Sequence, residues 1–234
     1  MRIKAKKSLG QNFLKDKNII KSIVDLGNIT NNDIVLEIGP GTGNLTEYII
    51  KKKPKKFFVI EKDLSLVNLL KKKFNKSINI INQDILDFDL NTISKKKIII
   101  YGNLPYNIST QILTHFITAN KKISSYKKLI LMFQKEVANR ILAKTNSKNY
   151  GRLSIISNWR LNIKKEFNIS PKCFYPMPKV DSTLLSFIPK KNFFYIKNSK
   201  NLEEITRIFF NQKRKMIKNP LKKIFSNHYE IAKN

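Results

Sequence analysis

The chain has 234 residues, with 46 Lys plus Arg against 16 Asp plus Glu, a formal net charge of +30 and a pI near 10.1. Its 41% hydrophobic content, with 15 Phe and 8 Tyr, is enough for a packed core, which excludes a disordered basic tail and suits one α/β domain with a small appendage. Cys173 is the only cysteine, so disulfides and multi-cysteine metal sites are excluded and no metal is expected; with no membrane-length apolar run and no signal-peptide stretch, the chain reads as cytoplasmic.

Lysines number 40 and arginines 6, beside 35 Ile and 27 Asn, the pattern of a coding sequence rich in A and T. Such bias explains Lys in place of Arg. It does not explain the shortage of acids, for which a polyanionic partner is the leading reason. Glycine is scarce too, at seven, so each one marks a backbone that must turn sharply or approach something closely.

In chain order, short apolar runs alternate with amphipathic stretches. Strands are predicted at 34–38, 57–60, 78–81, 98–101 and 129–133, and helices at 44–53, 64–74 and 110–118. Apolar strands separated by helix-length segments imply a doubly wound parallel sheet. A helix after Tyr150-Gly-Arg152, a β-rich stretch at 162–169 and a strand at 182–188 follow, and two strands this late are expected to pair antiparallel at one sheet edge. Helices are then predicted at 202–218 and 221–229. The domain reading is 1–190 for the catalytic part, with 1–30 as a covering segment, and 191–234 for a small basic helical lobe.

The chemistry begins at Glu37-Ile-Gly39-Pro-Gly41-Thr-Gly43, between the first strand and the next helix. Glycines there let the backbone approach a bound adenosyl group. A dinucleotide fingerprint would place its third glycine at 44, which is Asn; the closer spacing is typical of methyltransferases that use S-adenosylmethionine. Glu61 ends the second strand, where a carboxylate can accept from both ribose hydroxyls of that cofactor. Asp84 follows the third strand and suits the adenine amino group, while Asp87 and Asp89 are expected to face solvent.

Asn103-Leu-Pro-Tyr106 follows the fourth strand and is the most specific signal. An exocyclic adenine amine is a poor nucleophile because its lone pair is delocalised into the ring. If the Asn103 amide oxygen and a backbone carbonyl at Leu104 hold its two hydrogens, the nitrogen can pyramidalise and present that pair to a methyl donor. Pro105 removes a competing donor and restricts Leu104. Tyr106 offers a stacking face for an extruded base, and Phe174, on the proline-held string Phe174-Tyr-Pro-Met-Pro178, is expected to close the sandwich from the other side. His115, His228 and Cys173 are given no role.

Together with Gly10-Gln-Asn-Phe-Leu14, Gln134-Lys-Glu-Val-Ala-Asn-Arg140 and Tyr150-Gly-Arg-Leu-Ser154, these strings, in this order from residue 8 to about 189, resemble the ribosomal RNA adenine dimethyltransferase family, and within it the small-subunit branch. A weaker match continues through 210–215 and 219–221. The resemblance implies a Rossmann-like class I methyltransferase sheet with a small helical C-terminal domain, here shortened. It implies S-adenosyl-L-methionine as cofactor, with Asn12, Leu14, Gly39, Glu61, Asp84 and Asn103 as its contacts. It further implies dimethylation of two adjacent adenines in the 3′-terminal hairpin of 16S rRNA, within the immature small ribosomal subunit. A monomer is the default. Competing readings are a large-subunit (23S) rRNA methyltransferase of the macrolide-resistance type, a non-catalytic ribosome-assembly factor, and a DNA adenine methyltransferase.

Overall fold

A computed structural model describes residues 5–6, 9–118, 125–211 and 216–224. A seven-stranded sheet forms the frame. Its strands are β2 (Ile34–Ile38), β3 (Lys56–Ile60), β4 (Asn79–Ile81), β5 (Ile98–Gly102), β6 (Tyr126–Gln134), β7 (Leu161–Ile169) and β9 (Ser182–Pro189), in the order β4-β3-β2-β5-β6-β9-β7. The first five in that order are parallel, and β9 runs antiparallel to both β6 and β7. A separate two-residue ladder joins β1 (Phe13–Leu14) to β8 (Phe174–Tyr175), antiparallel.

All five residues of β2 and of β5 are buried, as expected of strands covered on both faces. Alternation along each strand divides the core in two. Leu36, Ile100, Leu131 and Phe187 pack with α4 (Ser109–Thr118), α5 (Lys135–Ile141) and α6 (Arg152–Arg160). Val35, Ile99, Tyr101 and Met132 pack on the other face with α1 (Lys17–Asp25), α2 (Asn44–Lys51) and α3 (Leu64–Phe74). Tyr101 locks α1 to the sheet, since its hydroxyl donates to the Val24 carbonyl at 2.8 Å.

The predicted parallel sheet with an antiparallel late edge is therefore present, and helix 64–74 is found at its predicted limits. Helices α1 and α5 are additional to the elements the sequence predicts. Beyond residue 190, α7 spans Ser199–Phe210 rather than 202–218, because Asn198 caps it by accepting from the Lys200 amide at 3.1 Å. It packs on α6, with Arg152–Glu203 as an ion pair at 3.2 Å. Helix α8 covers Lys218–Ile224. His228, residues 212–215 of the weaker match and the predicted helical stretch 225–229 lie outside the described residues. No helix among the described residues is long and apolar enough to cross a membrane.

Candidate active site

From β2 the chain moves outward through β3 and β4, then returns to the other side of β2 as β5. The crevice at that reversal, beyond the carboxyl ends of β2, β3 and β5, is where open α/β sheets bind ligands. It holds a cavity of about 320 Å³ lined by the glycine loop, the strand-end acids, the 102–108 turn and residues 9–14. This falls within the roughly 300–1,000 Å³ of small-molecule sites.

Gly39, Gly41 and Gly43 have φ of 63°, 58° and 79°, the left-handed region that an L side chain resists. A Cβ on Gly39 would find only the Asn103 carbonyl, at 4.0 Å, so this position opens into the cavity. Gly43 is crowded instead: a Cβ there would lie 2.4 Å from the Phe74 ring, and the glycine lets α2 start hard against α3.

Three acids meet this cavity. Glu61 is 8% exposed, and its carboxylate accepts from the Asp63 amide at 2.9 Å and the Gly41 amide at 3.3 Å. Burial raises its pKa and those two amides pull it back. Each oxygen is oriented by one main-chain donor and keeps a lone pair for a hydroxyl. Asp84 accepts from Lys62 Nζ at 2.8 Å and the Leu86 amide at 3.0 Å; the Lys62 bond is the chief cause of its lowered pKa. Glu37, the acid within the glycine string, is the third, and the sequence alone gives it no role. It is 2% exposed, accepts from the Thr46 hydroxyl at 2.7 Å, and burial pushes its carboxyl up to about 8.

Residues 9–14, with Lys6, lie across these groups like a strap. The Asn103 side-chain amide donates to the Asn12 carbonyl at 2.8 Å, and the Asn44 amide donates to the Leu14 carbonyl at 2.7 Å. Lys6 Nζ and Gln11 Nε2 both donate to the Asp63 carboxylate, at 2.8 and 3.1 Å. Burial opposes ionisation of Asp63, yet Lys6, Ser65 and Gln11 hold its carboxyl well below the usual range.

Asn12, Leu14, Gly39, Glu61, Asp84, Asn103, Leu104 and Tyr106 are thus brought to one cavity. Leu104 anchors the turn, with its side chain buried against Gly102. Tyr106 is half-buried and its hydroxyl shares a 2.6 Å hydrogen bond with Ser182, which fixes the ring at the wall. Asp87 and Asp89 are exposed, as expected.

Phe174 is not among the residues brought to this cavity. It is 1% exposed and does not line the cavity. Its strand pairs with Leu14, and it packs in the cluster of Leu14, Ile20, Met132 and Leu184, behind the wall that Met132 and Leu184 form. Two adjacent aromatics on a strand point to opposite faces, and here Tyr175 is the one turned outward.

Residues 2–233 match the family model described as Ribosomal RNA adenine dimethylase. The chain belongs to that family. It is 57% identical over 232 residues to the Ribosomal RNA small subunit methyltransferase A of Pelagibacter ubique, covering 99% of this chain and 88% of the relative. The protein of that name from Francisella tularensis subsp. novicida is 46% identical over 226 residues, covering 94% and 85%. Among solved structures, a dimethyladenosine transferase from Plasmodium falciparum superposes with a TM-score of 0.79 at 30% identity, covering 93% of this chain and 79% of that one. The 23S rRNA methyltransferase ErmE superposes at 0.69 with 21% identity over 90% and 84%, which shows a shared fold.

This dimethylase is therefore an S-adenosylmethionine-dependent enzyme that dimethylates adenine in ribosomal RNA. Its residues fit the cofactor. The Gly39 opening leaves room where a side chain would intrude, and Glu61 and Asp84 supply oriented acceptors at successive strand ends.

Proposed function

We propose that the enzyme dimethylates two adjacent adenines in the 3′-terminal hairpin of 16S rRNA, within the assembling small subunit. Similarity to small subunit methyltransferases over nearly the whole chain supports the small-subunit branch over the 23S alternative. The observation that carries the chemistry is the anchored amide of Asn103. Its nitrogen is committed to the Asn12 carbonyl, so its oxygen is the acceptor left for a target amine.

We read Asn12, Leu14, Gly39, Glu61, Asp84 and Asn103 as the cofactor-holding set, with Glu61 on the ribose hydroxyls and Asp84 on the adenine amine. S-adenosylmethionine, when bound, supplies an electrophilic methyl group on sulfur. Asn103 Oδ1 and the Leu104 carbonyl each accept one hydrogen of the adenine N6 amine, which draws its lone pair out of the ring. Tyr106 holds the base by stacking, and its bond to Ser182 prevents the ring from swinging away. As the N–C bond forms and the C–S bond breaks, the nitrogen becomes a strongly acidic ammonium whose proton leaves to water. One remaining N–H allows a second round, and no side chain is needed as a base. Tyr106 is a poor candidate for one in any case, because burial raises its pKa.

We also infer that residues 191–234 form a small lobe carried on α6 through α7, and that the protein acts as a monomer in the cytoplasm. The test is to supply labelled cofactor with immature small subunits and with large-subunit RNA. Label is expected at the 3′ end of 16S rRNA, read by mass analysis; preferential labelling of 23S RNA would overturn the assignment.

A further inference from the structure

We propose that the loop joining β8 to β9 is a stacking ridge for single-stranded RNA, on which Tyr175, Met177 and Val180 receive the unpaired nucleotides flanking the target adenine. This rests on the reading that the target lies in an RNA hairpin. Tyr175 is 63% exposed, Met177 66% and Val180 44%, three large apolar side chains within six residues. A cluster of this kind signals a binding surface rather than a solvated loop. Pro176 and Pro178 alternate with them, fixing φ and removing two backbone donors, so the ridge stands without needing its own hydrogen bonds.

Both ends of the loop are tied to the catalytic cavity. Tyr175 is the cross-strand partner of Phe13, which lines that cavity, and Ser182 holds the Tyr106 hydroxyl. Tyr106 lines the cavity and Tyr175 does not, so Tyr106 takes the target base and Tyr175 a neighbour. The charge around the ridge fits the same occupant. Lys172 and Lys179 are exposed and pair with no acid among the described residues, whereas Asp181 is taken by Lys135 at 3.2 Å. Exposed Lys15 is held alongside, because its amide donates to the Cys173 carbonyl at 2.8 Å. An aromatic and apolar rib bordered by unpaired cations suits bases on a phosphate chain.

The experiment measures binding of the full chain to a hairpin RNA with two adjacent loop adenines, by fluorescence anisotropy, alongside kcat and KM. Tyr175→Ala is expected to weaken RNA binding roughly 5- to 150-fold and to raise KM for RNA, while cofactor affinity and melting temperature stay at wild-type values. Tyr175→Trp should restore binding. Unchanged RNA affinity in a Tyr175→Ala, Met177→Ser double variant overturns the proposal. So does a defect seen only with protein-containing particles and not with naked hairpin, which would make the ridge a protein contact. Because binding is read separately from turnover, a hairpin that wild type binds but never methylates would refute the proposed target and leave the ridge to be judged on the anisotropy alone.

Discussion

Replacing Glu37 by Gln should make this enzyme more stable at pH 8 and leave it little changed near pH 4.5. Glu37 sits in β2 with 2% exposure, its carboxylate accepting from Thr46 and lying close enough to Glu61 to feel its charge. Burial is the largest cause that moves its pKa, from 4.5 to about 8; Thr46 lowers it and Glu61 adds to the rise. Below pH 4.5 the folded and unfolded chains both carry this proton. Between 4.5 and 8 only the folded chain keeps it, so stability falls as pH rises through that window, and above 8 the full cost of a buried charge is in place. At about 1.4 kcal/mol per pH unit, the ceiling is roughly 5 kcal/mol. Gln does not titrate and still offers Thr46 an acceptor. The assay is chemical or thermal denaturation of cofactor-free wild type and Glu37→Gln across pH 4.5 to 8.5. For a chain this long, 1 kcal/mol moves Tm by about 2–4 °C, so the difference between the two curves should widen by several degrees towards pH 8. Curves that stay parallel would refute the reasoning. The same site should couple to ligand charge: a cationic cofactor favours the ionised carboxylate, so wild-type binding at pH 7 should release a proton and Glu37→Gln binding should not, as calorimetry in buffers of different ionisation enthalpy would record.

Asn103→Ala should lower kcat by on the order of 10²–10³, as for loss of one preorganised polar group, while RNA binding in a gel-shift assay is retained; undiminished dimethyladenosine would refute the acceptor role. Gly43→Ala combines a left-handed φ, costing about 1–2 kcal/mol, with a Cβ driven into Phe74, costing about 1–3 kcal/mol, and denaturant melts should register the sum; a loss under about 1 kcal/mol would show that Phe74 yields freely. If six to ten lysines meet phosphates, RNA affinity should fall by about 10³–10⁵ between 50 and 200 mM salt by the duplex estimate, and a flat salt response would make most of the +30 charge compositional.

The parallel sheet was legible because strands buried on both faces are predominantly apolar, as β3, β5, most of β2 and the 129–133 run of β6 are. The glycine loop and the 103–106 turn were legible because few residue types allow their backbones. Other features turned on three-dimensional pairing. Helix α5 has seven residues, too few for a helical period to emerge, and α1 has nine. The latter did carry a signal, Asp16 as a cap before Ile19, Ile20, Ile23 and Val24. Phe174 and Tyr175 were indistinguishable by type, since alternation sends one inward and one outward and only the pairing with Leu14 decides which. Glu37 also left a clue: an acid within a run such as Ile34-Val-Leu-Glu-Ile38 has no solvent face to occupy.

The strap links two requirements of methyl transfer that the sequence presents separately. A side-chain amide can offer a target amine either its oxygen or its nitrogen, and only the oxygen draws out the lone pair. Asn103 is oriented by the Asn12 carbonyl, which belongs to the same segment that lines the cofactor cavity. That segment is fastened in turn at Leu14 by Asn44 and, through Lys6 and Gln11, at Asp63, whose carboxyl stays ionised because those donors hold its pKa far below neutrality. On the proposed mechanism the amide oxygen faces the target amine because the Asn12 carbonyl, on the stretch that lines the cavity, takes the amide nitrogen. In that mechanism the orientation of the acceptor amide and the lining of the donor's cavity therefore rest on one segment, residues 9–14.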